Sequence, residues 1–335
     1  MRTRTKPIIF ASLTLLIGLC VSLGATELFL RLYGFSFLFS PPEIQFGWPD
    51  PVTIKGVFQA DRDLFWVTRD YYPKVASWRG KHPAVAFMGC SCTQLSSYDK
   101  HLMDLVAAYS NRPAPKFVNL GVAGWSTYQG ALQLERDVVP MKPRFITVYY
   151  GWNDHWISLG IQDKDIGKLH IKGMRALDRL RVAQLLNQTI VNLKSRISNE
   201  KRHPERVSLD DFRANLVEIV RTARADDIEP ILLTAPTSHQ KGKEPPYLAG
   251  RWLDDLNDLV PLHQRYAGAV RDVAAREKVL LADLARETGN RPHEQIAPWF
   301  WPDGIHLTEP GSQAVAGMLF DFFKDNKLIE RLTRE

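Results

Sequence analysis

Five short apolar runs, each followed by a longer amphipathic stretch, restrict what this chain can fold into more than any other feature. The runs lie at 84–88, 117–120, 145–150, 230–234 and 279–282. Each is continuous rather than alternating, as expected of strands buried on both faces of a parallel sheet. The stretches between them predict helices at about 95–109, 127–138, 208–226, 262–277 and 311–324. The helix near 208 has a start signal: Ser208 precedes Asp211 by three residues, and Phe212, Leu216, Ile219 and Val220 form one apolar stripe. Strand and helix in alternation predict an α/β domain around one parallel sheet, and such sheets carry their sites at the carboxyl ends of the strands.

Two regions fall outside the alternation. Residues 34–82 are rich in Pro, Gly and aromatics and read as a linker that partly wraps the domain. Residues 155–207 are basic, with helical character around 174–198, and read as an insertion in a domain spanning 83–335. Ahead of both, Arg2, Arg4 and Lys6 precede an uncharged run at 7–26, whose helical length of about 30 Å matches a bilayer core. Apolar residues resume at Leu28, Phe29, Leu30 and Leu32, so the run exceeds the apolar core of a cleaved signal peptide. Residues 1–33 are therefore expected to be a cytoplasmic tip and a single membrane anchor, with the remainder on the extracytoplasmic (in a bacterium, periplasmic) side.

The formal net charge is +6, and half of it lies within residues 1–32. What remains is too weak to imply nucleic acid. The three cysteines, Cys20, Cys90 and Cys92, form neither a disulfide framework nor a CxxC pair, and no His/Cys spacing suits zinc. No cofactor or metal is expected.

Four segments that follow predicted strands carry residues capable of chemistry. In Gly89-Cys90-Ser91-Cys92-Thr93, Gly89 permits a tight turn and Ser91 falls at the mouth of the next helix. In Gly121-Val122-Ala123-Gly124-Trp125, small residues permit close backbone approach. In Gly151-Trp152-Asn153-Asp154, an Asn amide is available to an anionic oxygen. In Trp301-Pro302-Asp303-Gly304-Ile305-His306, an Asp three residues before a His can fold back onto the imidazole, as the acid of a triad does. Singly, each also reads as an ordinary cap or turn.

Together the four segments resemble the blocks of the SGNH (GDSL-like) hydrolases, with Ser91 at the first, Gly124 at the second, Asn153 at the third and Asp303 with His306 at the last. The resemblance covers roughly 83–324. It implies a three-layer α/β/α, flavodoxin-like fold on a five-stranded parallel sheet. It also implies a Ser91–His306–Asp303 triad, an oxyanion hole from the Ser91 and Gly124 backbone N–H groups and the Asn153 amide, and an ester substrate such as an acylated glycan or lipid. The same residues serve an O-acyltransferase, and the fold alone would serve a binding or assembly protein. One departure stands out: Cys90 occupies the place of the family's Asp before the serine. Cys90 and Cys92 read as small buried side chains, with a thiol nucleophile or a strained disulfide as alternatives. Trp125, Trp152, His155, His239 and Trp301 sit close enough in sequence to the blocks to be candidate substrate contacts.

Overall fold

The computed structural model describes residues 5–35, 57–158, 162–166, 180–197, 203–249 and 252–332. The first part of the expected linker and the start of the helix expected at 174 lie outside these residues.

The apolar runs form one five-stranded sheet. Its strands are β3 (Val85–Gly89), β4 (Phe117–Asn119), β5 (Phe145–Tyr149), β6 (Glu229–Leu233) and β7 (Leu280–Ala282). They pair in the order β4-β3-β5-β6-β7, and every pairing is parallel. The chain changes direction of travel across the sheet at β3, so a crevice opens at the carboxyl ends of β3 and β5, where doubly wound sheets bind ligands. Residues 85–88 and 145–148 are fully enclosed. Their continuous apolar character follows from helices covering both faces. Helices Tyr98–Ser110 and Glu309–Asp325 pack against each other in one layer. Thr127–Gln133, Leu209–Ala225 and Leu259–Glu277 associate in the other.

Local chemistry sets the helix ends. The Ser208 hydroxyl accepts from Asp211 N at 3.2 Å, and Phe212, Leu216, Ile219 and Val220 are all buried as their spacing predicts. Leu259–Glu277 stops where Lys278 turns left-handed (φ 50°) and its N–H folds back to Ala274 and Ala275. The helix expected over 127–138 is regular only to Gln133, then widens into a π turn at Leu134–Val138 and tightens at Val139–Met141. Pro140 has no N–H to continue the α ladder, and the region before the sheet draws on both neighbouring side chains, Arg136 through an ion pair and Asp137 through a hydrogen bond.

That preceding region is a hairpin, β1 (Phe58–Asp61) with β2 (Phe65–Thr68), followed by helix Tyr71–Trp78. Arg136 Nη1 bonds Asp61 at 2.8 Å and Tyr71 Oη donates to Asp137 at 2.7 Å. Residues 57–78 are thus fastened to the domain through buried polar contacts.

At the N-terminus, helix Thr5–Leu32 includes a stretch, Phe10–Leu32, long and apolar enough to cross a membrane. Its C-terminal end meets helix Arg181–Ile197: Val182 N donates to Glu27 at 2.9 Å, and Glu27 also pairs with Arg31 at 2.7 Å.

Candidate active site

Gly89 ends β3 where no side chain fits. A Cβ there would lie 2.2 Å from Thr93 Oγ1 and 2.8 Å from the Tyr149 carbonyl. The chain turns at once into the short helix Ser91–Gln94, so Ser91 projects from its first position, half-buried. Its flanking thiols are inside: Cys90 and Cys92 are both 1% exposed and both free. The Cys92 side chain holds the Cys90 thiol below its usual value, and Cys90 together with burial pushes Cys92 up. Enclosure takes Cys90 out of reach of a substrate whatever its ionisation.

His306 is 215 residues away in sequence, yet its Nε2 lies 2.7 Å from Ser91 Oγ. Its Nδ1 lies 2.7 Å from Asp303 Oδ2. The carboxylate leaves Nδ1 as the donor, so Nε2 faces the hydroxyl with its lone pair. Asp303 cannot swing away, because its Oδ1 accepts from the Ile305 and His306 backbone N–H groups at 2.8 and 2.9 Å. Burial pushes His306 down, but the hydrogen bond and charge of Asp303 outweigh it and the imidazole ends above its usual value. Burial likewise raises Asp303, and the bonds from His306 and Ile305 bring it below the usual carboxylate range.

The loop is braced from behind. His239 Nε2–H donates to Asp303 O at 2.7 Å, and the Thr237 hydroxyl and Ser238 N–H both donate to Gly304 O, at 2.9 and 3.2 Å. His239 therefore touches the triad loop through backbone. Burial lowers its pKa.

The second block lies beside the first. Val122 N bonds the Gly89 carbonyl at 3.0 Å, and Ala123 N bonds Gln94 Oε1 at 2.6 Å. Gly124 has φ +82°, a left-handed conformation that a side chain would oppose. The third block reaches the second: Asn153 Nδ2 donates to Trp125 O at 3.0 Å, which uses one of its two hydrogens.

The remaining sequence candidates separate by burial. Trp301 is 58% exposed beside the Asp303–His306 loop. Trp125, Trp152 and His155 are enclosed and do not face a ligand. Trp152 stacks on His263 with ring centroids 3.9 Å apart, and His155 Nε2 lies 3.3 Å from His263 Nδ1. Trp156, also near the blocks, is buried as well. These large rings gain more by filling the space between sheet and helices than by standing at the crevice. Residues with no signal in the sequence hold the second block instead: Trp66, Gln94, Asp163 and Arg206. Among the described residues, no three His, Cys, Asp or Glu side chains converge as metal ligands.

A hydroxyl, an imidazole and a carboxylate in series at the carboxyl end of a parallel sheet form the layout of a serine hydrolase. The GDSL-like Lipase/Acylhydrolase family matches residues 85–314, and the chain belongs to that family. It is accordingly an SGNH-type hydrolase acting on esters. Among curated proteins it is similar to the uncharacterized lipoprotein YqeF of Bacillus subtilis, 23% identical over 271 residues, covering 76% of this chain and 92% of that protein. Similar solved structures include a lipase/acylhydrolase from Enterococcus faecalis, with 17% identity, TM-score 0.46, and 72% of this chain against 95% of that one. Another is a catalytic mutant of an acetylxylan esterase from Geobacillus stearothermophilus, with 16% identity, TM-score 0.45, and coverage of 72% and 93%.

Proposed function

We propose that the chain is a membrane-anchored serine esterase in which Ser91 is the nucleophile, His306 the general base and acid, and Asp303 the group that orients and charge-stabilises His306. The observation that carries this reading is the unbroken series of 2.7 Å contacts from Ser91 Oγ through His306 to Asp303. Ser91 Oγ bonds to the ester carbonyl carbon as its proton passes to His306 Nε2. The carbonyl oxygen becomes an anion received by the Ser91 and Gly124 N–H groups and the Asn153 amide. A single such donor contributes about 3 kcal/mol to the transition state. Collapse breaks the bond to the alkoxy oxygen, which takes the proton from His306 and leaves as the alcohol. Water then attacks the acyl-serine, giving its proton to His306, and collapse releases the acid and returns the proton to Ser91.

The substrate class proposed is an O-acylated glycan. Trp301, two residues before Asp303, is 58% exposed, and Tyr247, 54% exposed, is near enough to feel the Asp303 charge. Exposed aromatic faces beside a nucleophile suit the apolar faces of sugar rings. Helix Thr5–Leu32 is read as the anchor, with the basic residues before it on the cytoplasmic side and the esterase on the other.

The test is hydrolysis of a short-chain aryl acetate and of an acetylated oligosaccharide by the full-length protein in detergent. The expected result is turnover of both, with Ser91→Ala at least a thousandfold slower. Equal turnover by wild type and Ser91→Ala would overturn the nucleophile. Acetyl appearing on an added sugar acceptor rather than as free acetate would mark a transferase instead.

A further inference from the structure

The crevice is completed by residues from outside the strand–helix alternation. Gly124 lies between two peptide units, and each has its carbonyl held by a side chain from another part of the chain. Trp66 Nε1, on hairpin strand β2, donates to Ala123 O at 2.9 Å. Arg206 Nη1, at the end of the insertion, donates to Gly124 O at 2.8 Å.

The first contact bears directly on the N–H assigned to the oxyanion. Ala123 C=O and Gly124 N–H belong to one peptide plane, and in a trans peptide they point in opposite directions. Fixing the carbonyl on Trp66 therefore fixes the direction of the N–H away from the hairpin. Within the described residues, that N–H makes no hydrogen bond. The preceding peptide, Val122–Ala123, is held as well, because Ala123 N donates to Gln94 Oε1, three residues past Ser91. Nucleophile helix and Gly124 loop are thereby held in one register.

The two holding groups are themselves rigid. Trp66 is 4% exposed, and its own carbonyl accepts from Trp125 Nε1 at 2.9 Å, so the two tryptophans exchange bonds across the loop. Phe65 before it takes φ +70°, an uncommon conformation for a bulky residue. Full burial and a stacked contact with Tyr128 at 5.8 Å hold it there. Arg206 is wholly buried and pairs through two nitrogens with Asp163, at 2.8 and 3.2 Å. Asp163 in turn accepts from the Ser126 hydroxyl at 2.7 Å. A buried pair of this kind contributes geometry more reliably than stability, and here the geometry is that of the loop at 124–126.

We infer that Trp66 and Arg206 are positioning residues that preset the Gly124 N–H for the developing oxyanion, and that the hairpin at 58–68 is part of the catalytic apparatus although it precedes the residues shared with the family. The inference rests on the proposed oxyanion role of Gly124. Preorganised donors act without reorganising during the reaction, so freeing the loop lowers the rate of the chemical step more than substrate affinity.

The test is Trp66→Phe, which keeps an aromatic ring in place and removes the indole donor along with some buried volume. Two quantities are read in the full-length protein: amide hydrogen exchange over 120–126, and kcat and KM for an aryl acetate. Faster exchange confined to that loop is expected, with kcat down about tenfold and KM within twofold. Binding of an aryl trifluoromethyl ketone, whose adduct carries an oxyanion, should weaken by the same factor as kcat. Unchanged loop exchange, or a kcat within twofold of wild type, overturns the inference. A general loss of protection would mean a misfolded variant, and Trp66→His, which keeps a ring N–H, then decides: recovery of kcat supports the role and no recovery overturns it. Activity surviving in Ser91→Ala faults the nucleophile assignment instead, and the exchange measurement still decides the clamp.

Discussion

Two groups of histidines lie at the carboxyl end of this sheet, and their surroundings differ in one respect that decides what each can do. His306 is half-buried, bonded to a carboxylate on one nitrogen and to a hydroxyl on the other. His155 and His263 are enclosed and bonded to each other, with Trp152 stacked on His263 and the Ala235 carbonyl accepting from His263 Nε2 at 2.9 Å. Burial alone pushes all three imidazoles down. Only His306 has a carboxylate to reverse it, whereas burial takes His263 to about 4 and His155 well below its usual value. An imidazole without a charged partner in a closed space is a neutral packing group. The same ring with Asp303 behind it and an open side is able to take a proton near neutrality.

The contrast breaks first at Asp303. Replacing it by Asn keeps the shape and removes the charge, and the expected loss in kcat is about a thousandfold or more. The pH profile gives the sign. His306 works as a base only when neutral, so kcat/KM rises with pH through a midpoint above 6.5. In Asp303→Asn burial remains and its counterweight is gone, so that midpoint moves to lower pH while the plateau falls. A midpoint that stays put would mean the limb belongs to another group.

The buried pair predicts the opposite pattern. His263→Phe preserves the stack on Trp152 but strands His155 Nε2 and the Ala235 carbonyl, so stability should fall by about 1–3 kcal/mol. Activity of the folded variant should stay within about threefold. The wild-type pair also makes the protein acid-sensitive. Both imidazoles accept a proton in the unfolded chain near 6.5 and resist it in the folded state, so stability declines as pH drops from about 6.5 towards 4. Denaturant melts across that window should show a shallower slope in the variant, and equal slopes would remove His263 from the account. The smallest effect concerns specificity: Trp301→Ala should raise KM several-fold for an acetylated oligosaccharide and leave aryl acetate unaffected, as steady-state kinetics on both esters would show.

Much of this was legible before the structure. The five apolar runs each fall on a strand within about a residue, because a strand covered on both faces has nothing polar to interrupt it. Asp303 and His306 were legible because three residues and a glycine suffice for a carboxylate to meet its own loop. The aromatic cluster was not. Trp125, Trp152 and Trp156 neighbour the blocks in sequence, and proximity in sequence says nothing about which side of the sheet end a ring takes. Nor could Trp66 or Arg206 be found, since each acts on a backbone carbonyl 57 or 82 residues away, and a donor to a carbonyl leaves no residue pattern at the acceptor. The start of helix Tyr98–Ser110 shifted for a related reason: the short turn Ser91–Gln94 is a separate element, fixed by how β3 hands the chain to Ser91.

The central claim, that His306 activates the Ser91 hydroxyl, is tested most directly by a fluorophosphonate probe on the folded, full-length protein with the adduct located by tandem mass spectrometry. The account predicts a single adduct on Ser91, formed at least a hundredfold more slowly in His306→Ala. No adduct, an adduct on another residue, or labelling indifferent to His306 would contradict it.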